Sequence, residues 1–199
     1  MNPSLPFLLL ALAAAPLLSG CQRLAANYVL DPRAPSAAYA DLKPLANPGP
    51  VLLSFEMRRA DGSFAQGQAH FAPRLARIVE RSGLFSSVAQ VGHESMPRLQ
   101  VVLAEMAAAT GTDLKSLPPA LSSGLPGSEA ALLYLFTASY EAPGKPPVRK
   151  VYPHAIHVLR SGVFPPAGTQ ALSGNQATDA MLEGLTLNFL RELQADGKL

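Results

Sequence analysis

The sequence predicts an α+β fold: a two-layer sandwich in which a mostly antiparallel sheet carries two amphipathic helices packed on one face. Three observations predict it. Several stretches alternate apolar and polar residues as strands do, and two others space their apolar residues as amphipathic helices do. The 19 prolines and 15 glycines are too many for a helical bundle and indicate strands joined by rigid turns.

Five stretches have the pattern of strands. They are Val51–Arg58, Leu84–Val88, Arg98–Met106, Ala130–Glu141 and, approximately, Val148–Leu159. In the fourth, Tyr134, Phe136 and Tyr140 share one face, which is more typical of a sheet core than of a ligand platform. Pro153 in the fifth cannot donate a ladder hydrogen bond, so it predicts an edge strand or a bulge.

Two stretches have the pattern of helices that bury one side. The first runs from Phe71 to Ser82 and the second from about Asn175 to Ala195. Residues that suit helix starts and ends flank both stretches. They are Pro73 in the first turn and Gly83 after the first helix, and Ser173, Gln176 and Gly197 around the second.

The amino-terminal residues indicate export and lipidation. Leu5 to Leu18 is apolar and uncharged, and its length of about 14 residues fits a signal peptide rather than a spanning helix. The segment ends in Leu18-Ser19-Gly20-Cys21, which resembles the lipobox of bacterial lipoproteins. Cys21 is the only cysteine of the chain, so it cannot form an intrachain disulfide. Ordinary signal-peptidase cleavage with an incidental cysteine is the alternative, and the lack of Lys or Arg in residues 1–6 departs from the usual pattern.

This resemblance divides the chain into three parts. Residues 1–20 are expected to be a signal peptide that is removed, 21–50 the lipidated cysteine with a proline-rich tether, and 51–199 a periplasmic α+β domain. A short strand at 28–30 is a further expectation. The resemblance implies acyl chains such as palmitate on Cys21, which anchor a protein without spanning the bilayer. Gln22, where an Asp would retain the protein in the inner membrane, favours the outer membrane over the outer leaflet of the inner one.

The sequence predicts no enzyme, no cofactor and no metal site. A formal net charge of +2 and only 15% charged residues argue against a nucleic-acid partner. His154 and His157 are three residues apart on a predicted strand, so they face opposite sides unless Pro153 causes a bulge, and we expect one buried and one solvated imidazole. The run His93-Glu94-Ser95 is expected in a loop.

Two further features are candidates for binding. Arg74, Arg77 and Arg81 lie on one side of the first predicted helix, where they could meet lipid phosphates or an acidic partner, or form a solvated face with Glu80. Residues 107–128 read as a long loop, and a loop of this length in a compact domain is usually functional or mobile.

Two stretches resemble small envelope lipoproteins. Residues 71–88, FAPRLARIVERSGLFSSV, are similar to a helix that ends in a GLF turn before a strand, and residues 178–199 are similar to a closing helix. The group includes curli-secretion lipoproteins, the amino-terminal domain of TolB, lipopolysaccharide-assembly lipoproteins and ABC-transport auxiliary lipoproteins. The resemblance implies an α+β sandwich and a role in envelope assembly or transport.

Three functions are compatible with these features. The first is a lipid-anchored accessory protein that docks on an envelope protein through the strand edge at Pro153 or through the loop 107–128. The second is a carrier of lipid or another hydrophobic ligand, with a cavity between sheet and helices and the arginines at its mouth. The third is an envelope hydrolase that pairs His93 or His154 with Glu141.

Overall fold

The computed structural model describes residues 27–93, 95–106, 108–110 and 125–199. The predicted signal peptide, Leu18, Ser19, Gly20, Cys21, Glu94 and most of the predicted loop 107–128 lie outside these residues. Eight strands and two α-helices are present in the described chain, with a short 3₁₀ helix at Tyr39–Asp41. In chain order they are β1 (Asn27–Leu30), β2 (Pro50–Arg59), β3 (Gly62–Ser63), α1 (Ala65–Arg81), β4 (Ser87–Ala89), β5 (Arg98–Glu105), β6 (Ala109–Thr110), β7 (Ser128–Glu141), β8 (Val148–Leu159) and α2 (Gly174–Ala195).

The strands form one mixed sheet in the order β1-β8-β7-β5-β2-β3, with β4 beside β2 and β6 beside β7. The connection from β2 through α1 makes β2 parallel to β4 and β5, whereas the other paired strands are antiparallel. Both helices pack on one face and share a core with β2, β5, β7 and β8. The predicted two-layer α+β sandwich is confirmed.

Helix α1 begins six residues earlier than predicted. Its first residues, 65–70, are polar or small, so they add nothing to the apolar stripe that Phe71, Leu75, Ile78 and Val79 bury. Pro73 therefore lies inside the helix, and its predicted place in the first turn is wrong. Gly83 ends the helix with a φ of +69°, as predicted.

Helix α2 starts and stops where its signals predicted. The Ser173 hydroxyl accepts from the Gln176 N–H, the Gln176 side chain accepts from the Ser173 N–H, and the capping box is thus complete. Gly197, with a φ of +63°, follows the end of the helix. The strand predicted at 84–88 is displaced: Leu84 and Phe85 fill the core, and pairing begins only at Ser87.

Residues 27–50 belong to the domain, so the prediction of a tether is wrong for this segment. Strand β1 pairs with β8 from Asn27↔Leu159 to Leu30↔Ile156, and Val29 is fully buried. Further along, the Ala37 N–H donates to the Gly184 carbonyl at 3.2 Å, and Leu42 joins the main core. The prolines of this segment lie on the surface of the domain and do not form a spacer between the domain and a membrane.

Pro153 lies on an edge without a bulge. Strand β1 covers β8 along 156–159, and the Asp31 N–H donates to the Ala155 carbonyl, which leaves 148–154 as the free edge. The β7/β8 register is continuous at Leu135↔Pro153. The irregularity in this pair is instead at Ser128 and Ala130. The bulge that we expected as one alternative at Pro153 is therefore wrong, and the edge position is confirmed.

The start of the predicted loop 107–128 contains a short strand. Ala109 and Thr110 form β6, which pairs with Ala131 and Ala130 of β7.

Neither helix of the described chain combines the length and the apolarity needed to cross a membrane.

Candidate functional site

A cavity of about 360 Å³ opens between the sheet and the segment that follows β1. Its walls come from the end of β1 and residues 31–36, from β8, from the loop before α2 and from α2 itself. The apolar part of the lining includes Leu30, Leu172, Met181 and Leu185, and the polar part includes Asp31, Ser36, His154, Thr169 and Gln170. The cavity exists because residues 30–36 pack on the domain.

His154 is the buried polar group of this cavity. Its side chain projects from β8 to the helix-bearing face, it is 3% exposed, and neither ring nitrogen has a hydrogen-bond partner. Burial lowers the pKa of His154 to about 4, because desolvation disfavours the imidazolium more strongly than the nearby Asp31 carboxylate favours it. At neutral pH His154 is thus a neutral imidazole with one donor and one acceptor nitrogen, both of them buried in the wall of the cavity.

Asp31 is a second buried polar residue beside the cavity. It is 4% exposed, and its Oδ1 accepts from the backbone N–H of Arg33 at 3.0 Å. The Arg33 guanidinium approaches the same oxygen at 3.4 Å and is itself about half exposed. The negative charge of Asp31 is therefore compensated locally.

His157 lies on the opposite face of β8, as the strand periodicity predicted. Its Nδ1 is 3.3 Å from the Ser128 Oγ, and burial lowers its pKa as well. His157 is 2% exposed, so the expectation of one buried and one solvated histidine is wrong. The face of His157 is buried among small apolar clusters, one formed by Ala109, Ala131, Leu133 and Ala155 and the other by Val29, Leu125 and Leu159.

The described residues contain no group of three or more His, Cys, Asp or Glu side chains that could hold a metal ion. The hydrolase alternative loses one of its two proposed pairs, His154 with Glu141. His154 is opposite Tyr134, seven positions before Glu141 on β7, which places the two more than about 20 Å apart. His93 is exposed in the connection after β4.

The three arginines of α1 line a separate groove between the two helices. Arg74 forms an ion pair with Asp179 of α2, and Arg81 stacks 4.4 Å from the ring centroid of Tyr39. The Tyr39 hydroxyl donates to Glu183 at 3.3 Å, and desolvation together with this carboxylate raises the pKa of Tyr39. The groove therefore holds carboxylates as well as guanidinium groups, and the arginines do not lie at the mouth of the His154 cavity.

A third surface is the part of the sheet that faces away from both helices. Gln100, Val102 and Ala104 of β5 are opposite Ser139, Thr137 and Leu135 of β7 and line a concavity of about 590 Å³. Apart from the exposed Gln100 they are half-buried, and Arg58, Glu141 and Arg149 contribute polar groups to the concavity. Tyr134, Phe136 and Tyr140 point the other way into the core, as predicted.

Comparison with known proteins shows a weak structural similarity to a solved lipoprotein. No model of a protein family matches the chain, and no curated protein matches it. The crystal structure of the rare lipoprotein B from Shewanella oneidensis is similar over 74% of this chain and 89% of that chain, with 19% sequence identity and a TM-score of 0.34. A similarity of this size does not establish a shared function.

The carrier hypothesis expected a cavity between sheet and helices, but not that residues 31–36 and His154 would line it, although two signals bordered it. The dipeptide Asp31-Pro32 after a strand-like stretch is a turn signal, and it indicated that Tyr28–Leu30 ends in a defined turn. The second signal was the His154 position itself, on the face shared with Tyr152 and Ile156. Neither signal was used, because the many prolines of residues 32–50 are typical of a linker and led to the prediction of a tether.

Proposed function

We propose that this chain is a lipid-anchored, non-enzymatic accessory protein of the bacterial cell envelope, held at the periplasmic face of the outer membrane. The observation that carries the proposal is the placement of Leu18-Ser19-Gly20-Cys21 after an apolar segment and six positions before β1. Six residues span at most about 20 Å. A lipid on Cys21 would thus keep the folded domain beside the membrane surface.

The open sheet face supports a role in protein contact. It presents half-buried Val102, Leu135 and Thr137 in a shallow concavity, a mixture of apolar and small polar groups that suits a protein surface.

The free edge of β8 is less suited to strand addition. The Ala155 carbonyl accepts from the Asp31 N–H, so the polar groups of 149, 151 and 153 point to the same side, where Pro153 has no N–H to donate. We therefore place the partner on the face and not on the edge.

Fractionation of cells tests the anchor. Cys21→Ser removes the sulfur that would carry the lipid, and we expect the protein to leave the membrane fraction. Ser19→Ala keeps a small residue in the lipobox and is the matched control, which should stay in the membrane fraction. Equal membrane association of both variants would refute the anchor.

Crosslinking in intact cells tests the protein contact. A photoreactive residue at Thr137 should give a discrete adduct with an envelope protein, and Val102→Glu should abolish it. The same photoreactive residue at Glu80, which is exposed on α1, is the control. Adducts of equal yield at both positions, or none at Thr137, would contradict docking on this face.

The His154 cavity favours a second candidate function, the carriage of an amphiphilic ligand. The lining combines apolar residues such as Met181 and Leu185 with polar Ser36, Thr169 and Gln170, which suits a molecule that has a hydrocarbon part and a hydroxyl or amide group. Mass spectrometry of the purified full chain should then detect such a molecule, at lower occupancy in His154→Phe. Thr186→Val is the control, because it removes a buried unpartnered hydroxyl that does not line the cavity. An empty wild-type chain would remove this candidate.

A further inference from the structure

We infer that the loop 160–171, led by Phe164, rests on the bilayer that holds the anchor and so fixes which end of the sheet faces the membrane. The inference depends on the proposed lipidation of Cys21. It adds a second membrane contact to the acyl chains and gives the domain a defined orientation.

Phe164 is exposed in a way that the fold does not require. It is 89% exposed, one of four large apolar side chains of the described chain that are markedly exposed, with Val91, Met106 and Val151. Pro165 and Pro166 follow it directly and restrict the backbone. The side chain is thus presented on a stiff segment.

The loop surrounds the start of β1. Its preceding residue, Leu159, pairs with Asn27, and its following residue, Leu172, exchanges two hydrogen bonds of 2.9 and 3.0 Å with Tyr28. Both ends of the loop are therefore attached to the strand that begins six positions after Cys21. Because six residues span at most about 20 Å, a lipid on Cys21 brings this end of the sheet to the membrane.

Hydrogen bonds and packing hold the loop in place. The Arg160 N–H donates to the Gly127 carbonyl at 2.9 Å, and the Val163 N–H donates to the Arg160 carbonyl at 3.0 Å. Gly127 has a φ of +82°, and a Cβ there would clash with Val163. The turn that precedes Phe164 is thus built into the fold.

The composition of the loop suits a lipid surface. Residues 160–171 contain Arg160 and no acidic residue. An arginine can bind lipid phosphates, and an aromatic ring prefers the boundary between headgroups and acyl chains. The acyl chains provide the affinity, and Phe164 and Arg160 set the orientation.

The chain contains no tryptophan, so one substitution makes a specific fluorescent reporter. Phe164→Trp places it in the loop. Val91→Trp is the matched control, since Val91 is 90% exposed and precedes Gly92, which lies beside Leu52. Leu52 pairs with Arg98, which in turn pairs with Glu141 at the end of β7. Val91 therefore lies near this end of the sheet, whereas the loop of Phe164 lies near the other end, at Ser128. Along β7 these ends are about 40 Å apart.

The full chain is purified from membranes and reconstituted in vesicles of phosphatidylethanolamine and phosphatidylglycerol, with or without bromine on the acyl chains. We expect Phe164→Trp to shift to the blue and to lose about half of its emission to bromine, as for a side chain at the headgroup boundary, while Val91→Trp is unaffected. Equal emission of Phe164→Trp in both vesicle types, or equal quenching of both variants, would overturn the inference alone. A wild-type protein that does not float with the vesicles would overturn both the anchor and the inference.

Discussion

At the scale of single residues, two histidines on one strand have different surroundings. His154 faces the cavity with two unpartnered nitrogens, whereas His157 faces the other side of the sheet beside the Ser128 hydroxyl. The strand period was enough to predict their opposite directions. Their burial was not predictable in the same way, because it depends on β1 and residues 31–36, which the composition made look like a linker.

The buried His154 makes stability depend on pH. Its pKa is about 4 in the folded chain and near 6.5 when unfolded, so between these values the unfolded chain binds more protons. The contribution of the neutral His154 to the free energy of unfolding is fully present above pH 6.5, and it is lost as the pH falls toward 4. His157 acts in the same direction, because burial lowers its pKa too.

His154→Phe should therefore stabilise the chain, and more so in acid. We expect a gain in the free energy of unfolding of about 1 kcal/mol at pH 7, since two unpartnered buried nitrogens are removed, and about 2 kcal/mol more at pH 5. Urea denaturation at both pH values measures it. Thr186→Val is the control, with a gain that is the same at both pH values. A gain for His154→Phe that does not grow between pH 7 and pH 5 would contradict the buried neutral imidazole.

At the scale of elements, the sequence was sufficient to predict a helix and both of its ends where the apolar periodicity and the end signals agreed. Helix α2 is the clearest case, with its capping box at Ser173 and its stop at Gly197. Helix α1 was predicted too short, because its first six residues have no large apolar side chains. Their contact with the rest of the fold is made at Gly67. There the backbone lies against Phe64 and Met57, so closely that a Cβ would clash. A glycine backbone packed against other side chains leaves no trace in the apolar periodicity of the sequence, so this turn of the helix could not be predicted from it.

Strand β1 gives the strongest prediction at this scale. Val29 is fully buried, so Val29→Asp places a carboxylate in an apolar site, and we expect a loss of about 3 kcal/mol or more in the free energy of unfolding. Val91→Asp is the matched control, since Val91 is 90% exposed and should change stability by about 0.5 kcal/mol or less. Thermal or urea unfolding measures both. A Val29→Asp chain as stable as the control would show that residues 27–30 form a tether after all.

At the scale of the whole molecule, the position of β1 relates the fold to the proposed anchor. Strand β1 places Asn27 in the folded domain, so at most six positions separate the proposed lipidation site at Cys21 from the sheet. The first strand and the loop with Phe164 lie at one end of the sheet, while the open face of β5 and β7 extends along its side. If Cys21 carries the proposed anchor, that face stays accessible to the protein partner that we propose.

The fold class followed from the sequence because it depends on local patterns that recur along the chain. The surfaces did not, because each combines residues far apart in sequence: the cavity joins 31–36 to β8 and α2, and the arginines of α1 meet Asp179 and Glu183 of α2. Spacing alone could place Arg74, Arg77 and Arg81 on one side of a helix. It could not show that acidic residues of a second helix already face them.

The intact mass of the mature protein, purified from cell membranes, is the sharpest test of lipidation at Cys21. We expect a chain that begins at Cys21 and carries the added mass of a diacylglyceryl group and an amide-linked acyl chain on that residue. A mature chain that begins at another residue, or one that begins at Cys21 without added mass, would contradict it.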